Sequence, residues 1–417
     1  MSSTPLARRL GLGDAVVIGL GSMIGAGVFA ALAPAAQAAG GALLWGLAIA
    51  AVVAFCNATS SAQLAAAMPR AGGTYLYGRE RLGPWWGFAA GWSFVIGKTA
   101  SCAAMAMTFA AYVAPAGWER PIAVAAVIGV ATVGYRGVTR TARVTRVIVV
   151  IVLAVLALVV VAGASTPSRS WSWSTDTGDA GLYGVLQSAG ILFFAFAGYA
   201  RIATMGEEVR DPARVIPRAI VIALAGAMVV YAVIATTALV SLGPPALAAS
   251  TEPLADVVTT RGWDWAVPVV MFGAGAATLG ALLGLVAGIG RTGLAMARES
   301  DLPRWLDAVH PRFSTPHRAE ATLAVVVCAI VLTVDLRDAI AFSSFGVLLY
   351  YLVANIAALT QGMPERRYPR ALAVTGAIGC VTLVATLPAQ AIAVGIAVLL
   401  VGVLGRAVVL RRRPRAP

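Results

Sequence analysis

The chain has 417 residues, of which 59% are hydrophobic and 12% charged, and its mean hydropathy is +0.85. Soluble domains carry about 25% charged residues, and a chain of this size cannot hide so much apolar surface from water. A water-soluble fold is therefore excluded. The formal net charge of +13 needs no nucleic acid, because membrane topology and lipid head groups account for it.

Spanning the hydrocarbon core takes about 20 helical residues. Apolar runs of that kind lie at about 12–37, 41–67, 85–114, 121–135, 144–164, 181–205, 219–242, 265–297, 319–334, 338–360, 370–387 and 389–409, which makes twelve. They are continuous rather than alternating, so they predict helices and not a barrel. The run that begins at Leu10 is broken by glycines and leads into a second span, unlike a cleaved signal peptide. The whole of 1–417 reads as one transmembrane domain, with connecting stretches at about 165–180, 243–264 and 298–318.

Charge sets the orientation. With the N-terminus placed in the cytoplasm, 25 arginines fall on the cytoplasmic side and four, Arg120, Arg169, Arg261 and Arg337, on the other. That bias predicts both termini inside the cytoplasmic membrane. Thirty arginines against one lysine suggest a GC-rich bacterial genome.

Several motifs carry no chemistry. Cys56, Cys102, Cys328 and Cys380 fall inside spans without disulfide or metal spacing. Asn57-Ala58-Thr59 matches a glycosylation sequon but lies in a span. His310 and His317 are the only histidines, poorly spaced for a metal and read as loop polarity. The chain shows no triad order, zinc motif or Walker motif, and no filter-like ring of a channel.

Two spans are unusual. The first contains Gly21-Ser22-Met23-Ile24-Gly25-Ala26-Gly27-Val28-Phe29. Interior glycines cost a helix up to about 1 kcal/mol each, so this cluster favours local unwinding. Unwinding frees N–H donors at the positive end of the following half-helix, where a carboxylate fits. Close helix packing explains the same glycines equally well, since Gly21 and Gly25 form a small-xxx-small pair. The sixth span carries Phe193, Phe194, Ala195, Phe196, Ala197 and Gly198, followed by Arg201. Breaks five spans apart are the sign of inverted repeats with a site at the midplane. The repeats would cover about 10–164 and 181–360, with two extra helices at about 370–409.

The glycine run, in a first span after Asp14, resembles the amino acid–polyamine–organocation permease superfamily. So do Phe193 to Ile220 (FFAFAGYARIATMGEE followed by VRDPARVIPRAI) and the run Ala295 to Pro303 with Pro316 beyond it. The resemblance covers nearly the whole chain. It implies an all-α integral membrane fold of about twelve helices, a LeuT-type five-plus-five inverted repeat plus two, with helices 1 and 6 interrupted. It implies a permease for amino acids that needs no cofactor or metal. It places the substrate carboxylate on amides near Ile24, Gly25, Ala26 and Gly27, beside Ser22 and Met23. The α-amino group would lie on carbonyls around Phe193, Phe194 and Phe196, near Gly198, with Phe194 as an aromatic lid. Ordinary lipid or helix packing is the alternative for the three phenylalanines.

The chain departs from the superfamily after the FxG motif. Where many members show an acidic residue, it reads Tyr199-Ala200-Arg201. Lys98 lies deep in the third span. Buried charges cost about 2.5–3.5 kcal/mol even on lenient scales, so both are functional candidates for gating or coupling. The alternative for Arg201 is snorkelling or an ion pair with Glu207 or Glu208. With no buried carboxylate in view, the expected substrates are neutral or acidic amino acids. Superfamily members without a sodium requirement often hold a cation near the ion position, in the fifth span; that span here has no lysine, so Lys98 is the expected proton-coupling group. The segment from Glu207 to Arg218 reads as a gate contact or a solvated connector. A polyamine, amine or cationic amino acid carrier of the same fold, and a membrane sensor or enzyme, are the rival readings.

Overall fold

A computed structural model describes residues 10–70, 72–137, 142–165, 181–205, 208–313 and 315–411, and Ala26 without its side chain. Glu207 and most of the first predicted long connection lie outside the described residues.

The order of helices is α1 Leu12–Met23, α2 Ala26–Ala30, α3 Leu32–Ala39, α4 Leu43–Ala67, α5 Gly73–Leu82, α6 Pro84–Val113, α7 Glu119–Tyr135, α8 Ala142–Ala164, α9 Gly181–Phe196, α10 Ala200–Ala203 and α11 Pro212–Leu242, then α12 Pro244–Ala249, α13 Pro253–Thr260, α14 Val267–Arg298, α15 His317–Thr333, α16 Leu336–Leu359, α17 Arg370–Thr386 and α18 Ala389–Arg411. Nine helical stretches are long and apolar enough to cross a bilayer. The 17-residue helices α7, α15 and α17 bring the crossings among the described residues to twelve. Span 1 is α1 to α3, span 6 is α9 with α10, and α4, α6, α7, α8, α11, α14, α15, α16, α17 and α18 are spans 2, 3, 4, 5, 7, 8, 9, 10, 11 and 12.

Alternate ends of the spans gather on opposite faces. On the arginine-rich face Asp14 pairs with Arg146 at 2.7 Å, Arg81 pairs with Glu365, and Arg367 donates to Ala213 O at 2.8 Å. Leu10 meets Val209 in a parallel bridge, with Leu10 N donating to Glu208 O at 3.1 Å. On the other face Arg120 reaches Leu332 O and Arg337 reaches Ala248 O and Gln37.

Packing follows the exchange of spans 1–5 with spans 6–10. Span 1 packs on span 7 as span 6 packs on span 2, and span 3 on span 10 as span 8 on span 5. Span 3 meets span 9 as span 8 meets span 4, and span 1 meets span 5 as span 6 meets span 10. Small residues permit a close crossing of spans 3 and 10: a Cβ on Gly97 would lie 3.1 Å from Gly346 Cα. Spans 11 and 12 add to the outside of this unit, and span 12 is largely lipid-facing, with Val401 68% exposed.

Three features differ from the sequence expectation. Span 7 begins at Pro212 rather than 219, because Pro at the first helical position is pre-set for helix. The stretch 243–264 holds α12 and α13, each opened by proline. The segment 73–82 forms α5, whose polar sequence hid it from a hydropathy reading.

Span 12 is anchored by one charged cluster. Arg406 Nη2 lies 2.9 Å from Asp301 Oδ1, with side chains 4% and 3% exposed. The guanidinium also lies 4.5 Å from the Trp85 ring and 4.9 Å from the Phe88 ring. Removing one partner of a buried pair strands the other charge and costs about 3–5 kcal/mol. Arg406→Ala should therefore lower the apparent melting temperature in detergent strongly, and Arg406→Lys less; wild-type melting of Arg406→Ala would contradict this anchoring role.

Candidate functional site

The interruption of span 1 lies at Ile24 and Gly25. Ile24 N still bonds Leu20 O at 2.7 Å, but Gly25 N turns back to Met23 O at 2.8 Å, with Ile24 at φ −78°, ψ 64° and Gly25 at φ −116°, ψ −133°. The helix restarts at Ala26, and its first-turn N–H groups have no acceptor within the helix. Span 6 is interrupted less deeply. It tightens into a 3-10 turn at Ala197–Tyr199 and resumes as α10.

The two interruptions touch backbone to backbone. A Cβ on Gly27 would lie 2.6 Å from Ala195 Cα, and a Cβ on Gly198 would overlap the Ser22 carbonyl and lie 2.6 Å from Met23 N. Tyr231 in span 7 spans both: its hydroxyl is 2.6 Å from Met23 O and 2.9 Å from Ala195 O, sharing one proton between them.

A cavity of about 770 Å³ runs from these interruptions to the arginine-rich face. Its inner wall includes Ser22, Met23, Gly27, Phe194, Ala197, Gly198, Lys98, Ser101 and Met105. Its outer part includes Leu10, Tyr75, Thr145, Arg201, Glu208 and Arg291. Toward the opposite face Phe29 and Tyr112 close the path, their rings edge to face at 5.7 Å. Tyr112 Oη donates to Phe29 O at 3.1 Å and accepts from Leu254 N at 3.3 Å.

Lys98, on span 3, is 5% exposed. Its Nζ donates to Ala197 O at 3.2 Å, and Tyr351 Oη donates to the same oxygen at 3.3 Å. No ion pair of Lys98 is found among the described residues. One turn on, Ser101 Oγ and Ser343 Oγ are 2.6 Å apart. Arg201 Nη1 reaches Thr204 Oγ1 at 3.4 Å, and Glu208 pairs with Arg291 at 3.6 Å. At the mouth, Tyr75 Oη donates to Asp301 Oδ2 at 2.9 Å. Burial pushes the Asp301 carboxyl above the usual carboxylate range, against the pull of the Tyr75 hydroxyl and the Arg406 and Arg79 guanidiniums.

Of the residues singled out from the sequence, Ser22, Met23, Gly27, Phe194, Gly198, Lys98 and Arg201 line the cavity. Ile24 and Gly25 form the turn behind it, and α2 restarts at Ala26. Phe193 packs edge-on against Tyr351 at 5.8 Å and Phe196 against Tyr231 at 5.1 Å, so both hold span 6 rather than face the cavity. The proposed Glu207 partner of Arg201 lies outside the described residues. His310 and His317 meet at 5.4 Å in an aromatic cluster with Tyr135 and Phe313. No group of metal-ligating side chains occurs among the described residues. Sequence reasoning missed Tyr231, Tyr351 and the Glu208–Arg291 pair; the only hint was the lone Tyr231 and the adjacent Tyr350 and Tyr351 inside apolar runs.

Two inverted sets of five spans, with facing interruptions at the head of a membrane-depth cavity, define a transporter. The family model described as amino acid permease matches residues 10–406. An uncharacterized transporter of Mycobacterium tuberculosis is 57% identical over 98% of this chain and 93% of its own length. The branched-chain amino acid permease BcaP of Bacillus subtilis is 23% identical over 89% of this chain and 84% of its own. The chloroplastic cationic amino acid transporter 7 of Arabidopsis thaliana is 29% identical over 85% and 66%. The chain belongs to the amino acid permease family and is an amino acid transporter.

Overpacking a tight contact costs about 1–3 kcal/mol, more where backbone blocks relaxation. Gly198→Ala should abolish uptake and lower the melting temperature, whereas Gly129→Ala, with nothing within 4 Å of its Cβ, should do neither. Tyr231→Phe removes the hydroxyl shared by both interruptions; a net hydrogen bond is worth about 0.5–1.5 kcal/mol, so apparent substrate affinity should fall about 2- to 12-fold with the fold intact, read by KM and melting temperature together.

Proposed function

We propose that the protein is a secondary active transporter of neutral amino acids in a bacterial cytoplasmic membrane, working by alternating access, with the arginine-rich face and both termini toward the cytoplasm. The substrate carboxylate takes the free N–H groups at the start of α2, and the α-ammonium group takes carbonyls of the span 6 interruption. The cavity open to the arginine-rich face and the Phe29–Tyr112 closure support an inward-facing state.

The observation that carries the substrate class is the charge of the cavity wall. Among the described residues Lys98, Arg201 and Arg291 line it, against one carboxylate, Glu208, which Arg291 already faces at 3.6 Å. A cationic substrate side chain would find no free carboxylate among the described residues there, and an isolated charge in a low-dielectric site is costly. The second reading, cationic amino acids, is favoured by the name of the Arabidopsis relative. A thermal-shift screen of the purified protein against the twenty amino acids and common amines separates them, because ligands that bind the folded state raise its apparent stability. Stabilisation by neutral amino acids is expected; stabilisation by arginine and lysine alone would establish the second reading.

Coupling is assigned to protons, by symport or exchange, with Lys98 as the coupling group and Phe194 and Arg201 as gate residues. A lysine shifts its protonation readily on burial, which suits it to carry a proton. Lys98→Ala should lose uptake driven by a pH gradient in proteoliposomes; full retention of gradient-driven uptake would end this assignment.

A further inference from the structure

The carbonyl that the span 6 interruption offers to the cavity is already in use. Ala197 lies in the 3-10 turn, and its oxygen accepts from the Lys98 amine at 3.2 Å and from the Tyr351 hydroxyl at 3.3 Å. A carbonyl oxygen has two acceptor lone pairs, so these two donors use its capacity. Lys98 and Ala197 line the cavity beside Phe194 and Gly198, the wall that faces the interruption of span 1. The C-terminal end of α9 also favours a positive group there. An alkylamine held on this carbonyl is, chemically, the amino end of an amino acid.

We propose that Lys98 is a tethered competitor for the α-ammonium subsite: it holds Ala197 O while the site is empty and withdraws when an amino acid binds. This rests on the reading that span 6 carbonyls receive the substrate's ammonium group. Two amine donors cannot share the one oxygen with Tyr351, and two cations so close repel in a desolvated site. The four-carbon stem of lysine is flexible, and the cavity extends past Phe94 and Tyr75 toward the arginine-rich face, so Lys98 has room to leave. Lys98 thereby sets specificity. Each amino acid must displace it, whereas a carboxylate without an amino group binds with Lys98 still in place. The wild-type protein accordingly gains less from the substrate amino group than the bare subsite would.

The test is a ratio of affinities. Binding of L-alanine and propionate, and of L-leucine and 4-methylpentanoate, is measured by calorimetry on purified wild type, Lys98→Met and Lys98→Arg. The ratio of Kd for the des-amino acid to Kd for the amino acid should rise at least 10-fold in Lys98→Met, because only the amino acid is relieved of competition. Lys98→Arg, which keeps a cationic competitor, should hold the ratio at or below the wild-type value. If Lys98→Met does not fold, Lys98→Gln is read by the same ratio. A ratio that stays level or falls in the uncharged variant overturns the inference while amino acid binding by the wild type leaves the function standing. Failure of all three proteins to bind either amino acid overturns the reading of the site, and the inference with it.

Discussion

The contact between the two interrupted spans is the constraint on which the rest depends. Gly27 lies against the Ala195 backbone and Gly198 against Ser22 and Met23, at distances that leave no room for a side chain on either glycine. Unpaired backbone at membrane depth is tolerated only where protein or a cavity surrounds it. Each interruption meets part of that condition for the other, and Tyr231 joins them through Met23 O and Ala195 O. The start of α2 and the Ala197 carbonyl of span 6, which Lys98 and Tyr351 occupy, thus lie on the same cavity.

The surrounding helices divide the work. Spans 3 and 10 pack almost backbone to backbone at Gly97 and Gly346 and hold Lys98 and Tyr351 against the span 6 turn. The Asp301 cluster ties α5, α6, α14 and α18 together at the arginine-rich face. Lighter contacts link the start of span 1 to the chain beyond span 6, through Leu10 with Val209, and to span 5, through Asp14 with Arg146. The charged groups that line the cavity are mainly basic, so its potential favours the carboxylate end of a substrate entering from that face.

Much of this was legible in the letters, for physical reasons. Membrane spans are long and apolar, so all twelve were visible, and the arginines marked which ends share a face. The glycine run located the interruption of span 1 because glycine is the residue that both weakens a helix and admits another backbone. The span 6 interruption was placed correctly but is shallower than expected, a single 3-10 turn. What could not be read was the partner of each group. Phe193 and Phe196 carry the same side chain as Phe194, and only helical phase puts them on Tyr351 and Tyr231 and leaves Phe194 on the cavity. Lys98 was conspicuous as a deep charge, yet its acceptor, 99 residues away, follows from packing alone. The α5 helix was missed because its polar sequence gives no hydropathy signal.

The most direct measurement is a cryo-electron microscopy map of the protein saturated with an amino acid that stabilises it. Ligand density lying between the start of α2 and the Ala195–Gly198 backbone, with its carboxylate toward the Ala26 and Gly27 amides, is the predicted result. Density elsewhere in the cavity, or span 1 running through Ile24 and Gly25 as one unbroken helix, would contradict it.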